Sequence, residues 1–301
     1  MKLTGLIPAT FTPMKEDGLL NLDKVEAIVE HLIADKVSGL FVCGSTGEGA
    51  SLSVDERMAT ALAYTSSVNK RLPVIVHVGH DSLVDAKKLA IHAQKIGADV
   101  IAAVPPSYFK ITSIEILIRC MEQIASVVPE LPFYYYNIPS ITGANFNMVE
   151  FLETAKQHIP NLAGIKHSTP VMNELLACRN LENGKYGVVF GSDEMLLSGL
   201  AAGATGAVGS NYNYAAPLYL KIMDAFNRND IEEAQKYQSL SVKKVRYLFK
   251  YRGLPAIKSM MKMIGLDCGP VRLPLQALTT DEYNELEKSM NEIGFFEWGR
   301  K

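Results

Sequence analysis

Cysteine is scarce in this chain, and the four present, Cys43, Cys120, Cys178 and Cys268, stand far apart with no C-x-x-C pair among them. That argues against a zinc knuckle and a disulfide framework, and it suits a reducing cytoplasm. No apolar run approaches the ~20 residues that cross a bilayer. Residues 1–8 lack the sustained apolar core and small-residue cleavage site of a signal peptide, so a soluble, untargeted, cytoplasmic protein is expected. Charge of one sign is missing too: 30 basic residues against 32 acidic ones give a formal net charge of -2, with no conspicuous block of either sign. Neither nucleic acid nor an anionic membrane is indicated, and a small-molecule ligand is the better expectation. No G-x-x-x-x-G-K-[ST] run occurs, which disfavours a P-loop nucleotide site.

What is present is apolar mass in a regular order. With 48% hydrophobic and 21% charged residues among 301, the chain can bury about three quarters of the surface its unfolded form exposes. Strand-like runs and helical patterns alternate up to residue 228, which implies a parallel sheet. Strands are expected at 5–9, 39–43, 73–78, 100–104, 133–136, 162–166, 188–191 and 206–209. About eight β/α units is the number that closes a TIM barrel. Helical spacing marks 22–35, 53–67 and 82–96, the second opening with a Ser-x-x-Glu capping box. Beyond the last strand only helices are expected, at 217–228, 231–251, 255–264 and 280–293, with a turn at Asp267-Cys268-Gly269-Pro270. The expected organisation is an α/β TIM (β/α)8 barrel over residues 1–228 carrying the active site, followed by a C-terminal helical extension over 229–301.

Lys166 is the residue that most needs explaining. It lies near the end of the apolar strand Leu162-Ala163-Gly164-Ile165-Lys166-His167-Ser168. A lysine in an apolar, poorly hydrated pocket has its ammonium form disfavoured, and a free amine can condense with a ketone to a Schiff base that serves as an electron sink. The plain alternative is an ammonium that snorkels from the strand end into solvent. In a TIM barrel the reacting groups come from the C-terminal strand ends, and other unusual residues fall there. Gly44-Ser45-Thr46-Gly47-Glu48-Gly49 is either a tight turn or a backbone cradle for an anion. In Phe133-Tyr134-Tyr135-Tyr136, alternation puts Tyr134 and Tyr136 on one face; if that face is the interior, Tyr136 comes within reach of a group bound to Lys166. Gly191-Ser192-Asp193-Glu194 offers adjacent carboxylates for a divalent metal or for sugar hydroxyls, or a simple helix N-cap. Gly209-Ser210-Asn211-Tyr212-Asn213 ends the eighth strand with no basic residue nearby. His77 and His80 have no matching third metal ligand in the sequence.

Taken together, Gly44-Ser45-Thr46-Gly47-Glu48, Tyr136-Asn137-Ile138-Pro139 and Gly164-Ile165-Lys166 resemble the dihydrodipicolinate synthase and N-acetylneuraminate lyase superfamily, Schiff-base aldolases that handle pyruvate. The resemblance runs from Leu3 through the helical tail, and the strand-seven and strand-eight motifs look like the sialic-acid lyase branch. It implies that Lys166 forms the imine, Tyr136 shuttles protons, and Ser45 and Thr46 hold the pyruvate carboxylate. Gly191, Asp193, Glu194 and Ser210 match positions that contact the sugar chain, and Ser168 falls where the lyases place a small hydroxyl residue. Tyr108 matches a tyrosine that members insert into the site of a neighbouring subunit, and a homotetramer is implied. No cofactor and no metal belong to this chemistry. The chain departs from the synthases at Ser45, where they have a second threonine, and at Ile141, where they have an arginine for a second carboxylate. The implied reaction is reversible cleavage of N-acetylneuraminate, a sialic acid, to N-acetylmannosamine and pyruvate. Another pyruvate-dependent aldolase, or a sugar-acid sensor without turnover, are the alternatives.

Overall fold

The computed structural model describes residues 1–299. Its eight parallel strands are β1 (Gly5–Pro8), β2 (Leu40–Val42), β3 (Val74–His77), β4 (Val100–Ala103), β5 (Phe133–Asn137), β6 (Leu162–His167), β7 (Gly187–Phe190) and β8 (Gly206–Gly209). They hydrogen-bond in the order β1-β8-β7-β6-β5-β4-β3-β2. The seam between β1 and β2 closes just above them, where Ala9 bridges Phe41 and the Thr10 N–H donates to the Phe41 carbonyl at 3.0 Å. This is the TIM barrel the alternation implied, with each strand in place to within about a residue at either end.

Period-two alternation separates two cores. Ile7, Phe41, Ile75, Ala102, Tyr134, Tyr136, Val189 and Val208 pack together inside the barrel. Val42, Val76, Ile101, Phe133, Tyr135, Ile165 and Val188 face the surrounding helices. Tyr134 and Tyr136 therefore do share the interior face. The Tyr134 ring fills the lower barrel because β6 and β7 each offer a glycine beside it. A Cβ on Gly164 would lie 2.7 Å from that ring, and one on Gly187 would lie 2.2 Å from its hydroxyl. The hydroxyl accepts the Leu3 N–H at 2.9 Å.

The capping box forms as read: Ser53 accepts from the Glu56 N–H, and Glu56 accepts from the Ser53 N–H at 2.9 Å. The helix expected from residue 217 begins earlier and spans Tyr212–Asn227. Ala215 leaves helical geometry there, with φ -134, so Pro217 stands just beyond a break in the hydrogen-bond ladder, where its missing N–H is tolerated. Among the helices that follow, Ile231–Lys250 packs along Tyr212–Asn227 and reaches the turn Asp193–Met195 above β7. Among the described residues no helix is long and apolar enough to cross a membrane.

Candidate active site

Lys166 is 4% exposed and does not snorkel into solvent. Its strand register pairs it with Tyr136 on β5. The Lys166 Nζ lies 4.0 Å from the centroid of the Tyr136 ring and 4.3 Å from that of Phe41. Among the described residues no carboxylate forms an ion pair with it. Two aromatic rings thus take the place of water around the nitrogen.

A cavity of about 230 Å³ opens above this pair at the C-terminal barrel mouth. Ser45, Thr46, Tyr136, Lys166, Gly191, Asp193, Glu194 and Ser210 all line it, so residues from five strand ends converge on one space. The loop after β2 is held tightly. Cys43 and Glu48 take left-handed backbone conformations, with φ 61 and 55. A Cβ on Gly49 would fall 2.1 Å from the Cys43 carbonyl oxygen, so only glycine fits there. Thr46 Oγ1 and Ser210 Oγ are hydrogen-bonded at 2.7 Å, which joins this loop to the end of β8.

On the opposite side, Asp193 Oδ2 accepts from both the backbone N–H and the side-chain amide of Asn211, each at 2.7 Å. Burial pushes the Asp193 carboxyl up, and the Asn211 hydrogen bonds, Lys244 and Lys166 pull against that. Glu194 is likewise pushed up by burial, with the Asp193 charge adding to it and Lys244 opposing. Ser192 stands at the N-cap of the turn Asp193–Met195 but makes no side-chain capping bond. Ser168 lies behind Gly191, where a Cβ would come 1.9 Å from its Oγ. Among the described residues that buried hydroxyl has no hydrogen-bond partner.

Tyr108 is not at this cavity. It is 79% exposed beside the equally open Phe109, and its N–H donates to Asp81 Oδ1 at 3.1 Å. His77 and His80 are each engaged by protein donors. Val104 N–H reaches His77 Nε2 at 3.2 Å, and Ser82 N–H reaches His80 Nδ1 at 2.9 Å. His77 packs edge-on against Tyr136, and the fully buried Arg57 donates to its carbonyl at 2.6 Å. Burial, then Arg57 and Lys166, push the His77 imidazole well below its usual range.

Several residues of this region escaped the sequence reading. Val245, Phe249 and Ile257 from the helices beyond β8 wall the same cavity. Lys258, on the helix Leu254–Met263, forms a buried ion pair with Glu48 at 2.8 Å, and Glu48 also accepts the Arg272 N–H at 2.8 Å. The loop bearing Ser45 and Thr46 is thereby tied to the C-terminal segment. The available signal was a lysine at an apolar position of an amphipathic helix, with buried Ala256, Ile257, Met260 and Met261 around it.

The dihydrodipicolinate synthetase family profile matches residues 2–293. This chain belongs to that family. Within it, the chain is 38% identical over 299 residues to the N-acetylneuraminate lyase of Rattus norvegicus, covering 98% of this chain and 93% of that one. It is 40% identical over 279 residues to the lyase of Gallus gallus, covering 91% of each. The solved Proteus mirabilis N-acetylneuraminate lyase superposes with a TM-score of 0.95 at 37% identity, over 98% of this chain and all of that one.

Proposed function

We propose that the chain is a class I aldolase that reversibly cleaves N-acetylneuraminate to N-acetylmannosamine and pyruvate. The observation that carries this reading is the Lys166–Tyr136 pair, set beneath a cavity whose far side holds Asp193 and Glu194. Lys166 attacks the C2 ketone of the open-chain sugar acid and water leaves, giving a protonated imine. The C4 hydroxyl proton departs through the Tyr136 hydroxyl as the C3–C4 bond breaks. N-acetylmannosamine leaves as the aldehyde, and the bonding electrons rest in an enamine. A proton returns to C3, and hydrolysis of the imine frees pyruvate and Lys166. Ser45 and Thr46 hold the pyruvate carboxylate. Gly191, Asp193, Glu194 and Ser210 receive the polyol chain, with Ser168 behind Gly191 supporting that wall, and the carboxylates accept hydrogen bonds worth roughly 1.5–3 kcal/mol each.

The barrel over residues 1–228 carries the chemistry in this account, and the extension over 229–301 closes one wall. The chain works as a cytoplasmic homotetramer, with Tyr108 of one protomer reaching the site of its neighbour. The exposure of Tyr108 and Phe109 supports that assembly. Light scattering on active protein tests it, since a fully active monomer is incompatible with it.

The substrate assignment is tested by comparing kcat/KM for condensing pyruvate with N-acetylmannosamine and with aspartate semialdehyde. The expected ratio favours N-acetylmannosamine. A ratio favouring the semialdehyde rejects the substrate while leaving the Schiff-base reading intact.

A further inference from the structure

Lys244, on the helix Ile231–Lys250, is fully buried. Among the described residues no carboxylate forms an ion pair with it. Its Nζ donates to the Tyr219 hydroxyl at 3.2 Å and lies 4.8 and 4.9 Å from the ring centroids of Tyr214 and Tyr219. The Tyr219 hydroxyl is in turn hydrogen-bonded to Ser241 Oγ at 2.7 Å. A buried ammonium held only by aromatic faces and one hydroxyl is costly, so the charges within reach of its field matter.

Those charges are the carboxylates of the cavity. Asp193 is wedged onto β8, where a Cβ on Gly209 would meet its Oδ1 at 1.6 Å. Its Oδ2 is fixed by Asn211, and the side-chain amide oxygen Oδ1 of Asn211 accepts from the Tyr214 hydroxyl. Tyr214 therefore stands between the two, its ring toward Lys244 and its hydroxyl toward the residue that grips Asp193. We propose that Lys244 is a positioning residue: its ammonium is the counter-charge that keeps the Asp193 and Glu194 carboxylates ionised as acceptors for the polyol chain of the substrate. The role played for the substrate rests on reading the cavity as a sialic-acid site.

The titratable groups facing this arrangement are Asp193 and Glu194 from the turn above β7, Tyr212, Tyr214 and Tyr219 from the helix Tyr212–Asn227, and Lys166 from β6. Burial brings Lys244 itself down to about 7, and the two carboxylates hold it up from lower still. The cation and the carboxylates thus sustain one another's charge.

The test compares wild type, Lys244→Met and Lys244→Arg in three measurements: the pH profile of kcat/KM for N-acetylneuraminate, borohydride trapping of pyruvate on Lys166, and the carboxyl-carbon NMR titration of Asp193. In Lys244→Met the carboxylates lose their counter-charge. The Asp193 midpoint and the acid limb of kcat/KM should both move upward by about one pH unit or more. On that acid limb kcat/KM should fall about 10-fold or more at a given pH, while pyruvate trapping stays at the wild-type rate. Lys244→Arg, which keeps the charge, should retain the wild-type midpoint; it carries the test if Lys244→Met does not fold. An Asp193 midpoint unmoved in Lys244→Met, or one displaced in Lys244→Arg as in Lys244→Met, overturns the proposal. Wild-type protein that traps pyruvate but leaves N-acetylneuraminate intact overturns the sialic-acid reading instead, and the Asp193 titration then still decides the role of Lys244.

Discussion

Tyr136 and Lys166 are register partners on adjacent strands, and the lysine nitrogen sits 4.0 Å from the centroid of the tyrosine ring. Strand backbone, and not a loop, sets that approach, so the pair is in place before substrate arrives. Replacing Tyr136 with phenylalanine keeps the ring over Lys166 and removes only the hydroxyl. We expect kcat for cleavage to drop by ~10²–10⁴-fold while pyruvate still traps on the enzyme. An unchanged kcat removes Tyr136 from the proton relay.

The ion pair between Glu48 and Lys258 is buried on both sides, and it anchors the loop that carries Ser45 and Thr46. Removing one partner leaves a buried charge unmatched, so Lys258→Met should cost about 3–5 kcal/mol in urea unfolding. The double variant Glu48→Gln/Lys258→Met should recover much of that loss, because it leaves neither charge behind. A single variant within about 0.5 kcal/mol of wild type contradicts the anchoring role.

His77 gives a pH prediction. Its imidazole is pushed well below the usual range by burial, with the Arg57 and Lys166 charges adding to it. The unfolded chain then binds a proton as pH falls through about 6.5, and the folded chain does not. This group's contribution to stability is complete above that value and is lost below it, with a limiting slope of about 1.4 kcal/mol per pH unit. The ring signals of His77 should stay fixed between pH 8 and 5. A midpoint near 6.5 in the folded protein refutes the assignment.

Ile141 lies on the short helix Pro139–Thr142 and is 61% exposed, beside a second, smaller cavity that shares Ser45 with the first. It offers no cation to pair with a second carboxylate on the incoming aldehyde. Ile141→Arg should raise condensation of pyruvate with aspartate semialdehyde above its low baseline. Steady-state rates with both aldehydes check this, and no gain for the semialdehyde places acceptor selection elsewhere.

Much of the architecture was readable because the strands are short apolar runs bounded by glycine and turn residues, with helical spacing between them. The Tyr134/Tyr136 face followed from alternation alone. The start of the helix at Tyr212 did not, since Pro217 reads as a helix start and the break at Ala215 that permits it leaves no mark in composition. At the site, residues at strand ends were legible because a barrel gathers such ends in one place. Lys244 and Lys258 were not. Their partners are distant in sequence, 25 residues away for Tyr219 and 210 for Glu48, and periodicity puts a lysine on an apolar face without saying what meets it. Ser241, Val245 and Leu248, buried at helical spacing around Lys244, were the clue that the lysine points inward.

One measurement bears most directly on the account: the purified protein is given N-acetylneuraminate, with no added pyruvate, then reduced with borohydride, digested and mapped by mass spectrometry. Cleavage through a Schiff base predicts N-acetylmannosamine in solution and a reduced three-carbon acid on the peptide containing Lys166, absent from Lys166→Arg. N-acetylmannosamine released with no adduct, or with the adduct on another lysine, would contradict it.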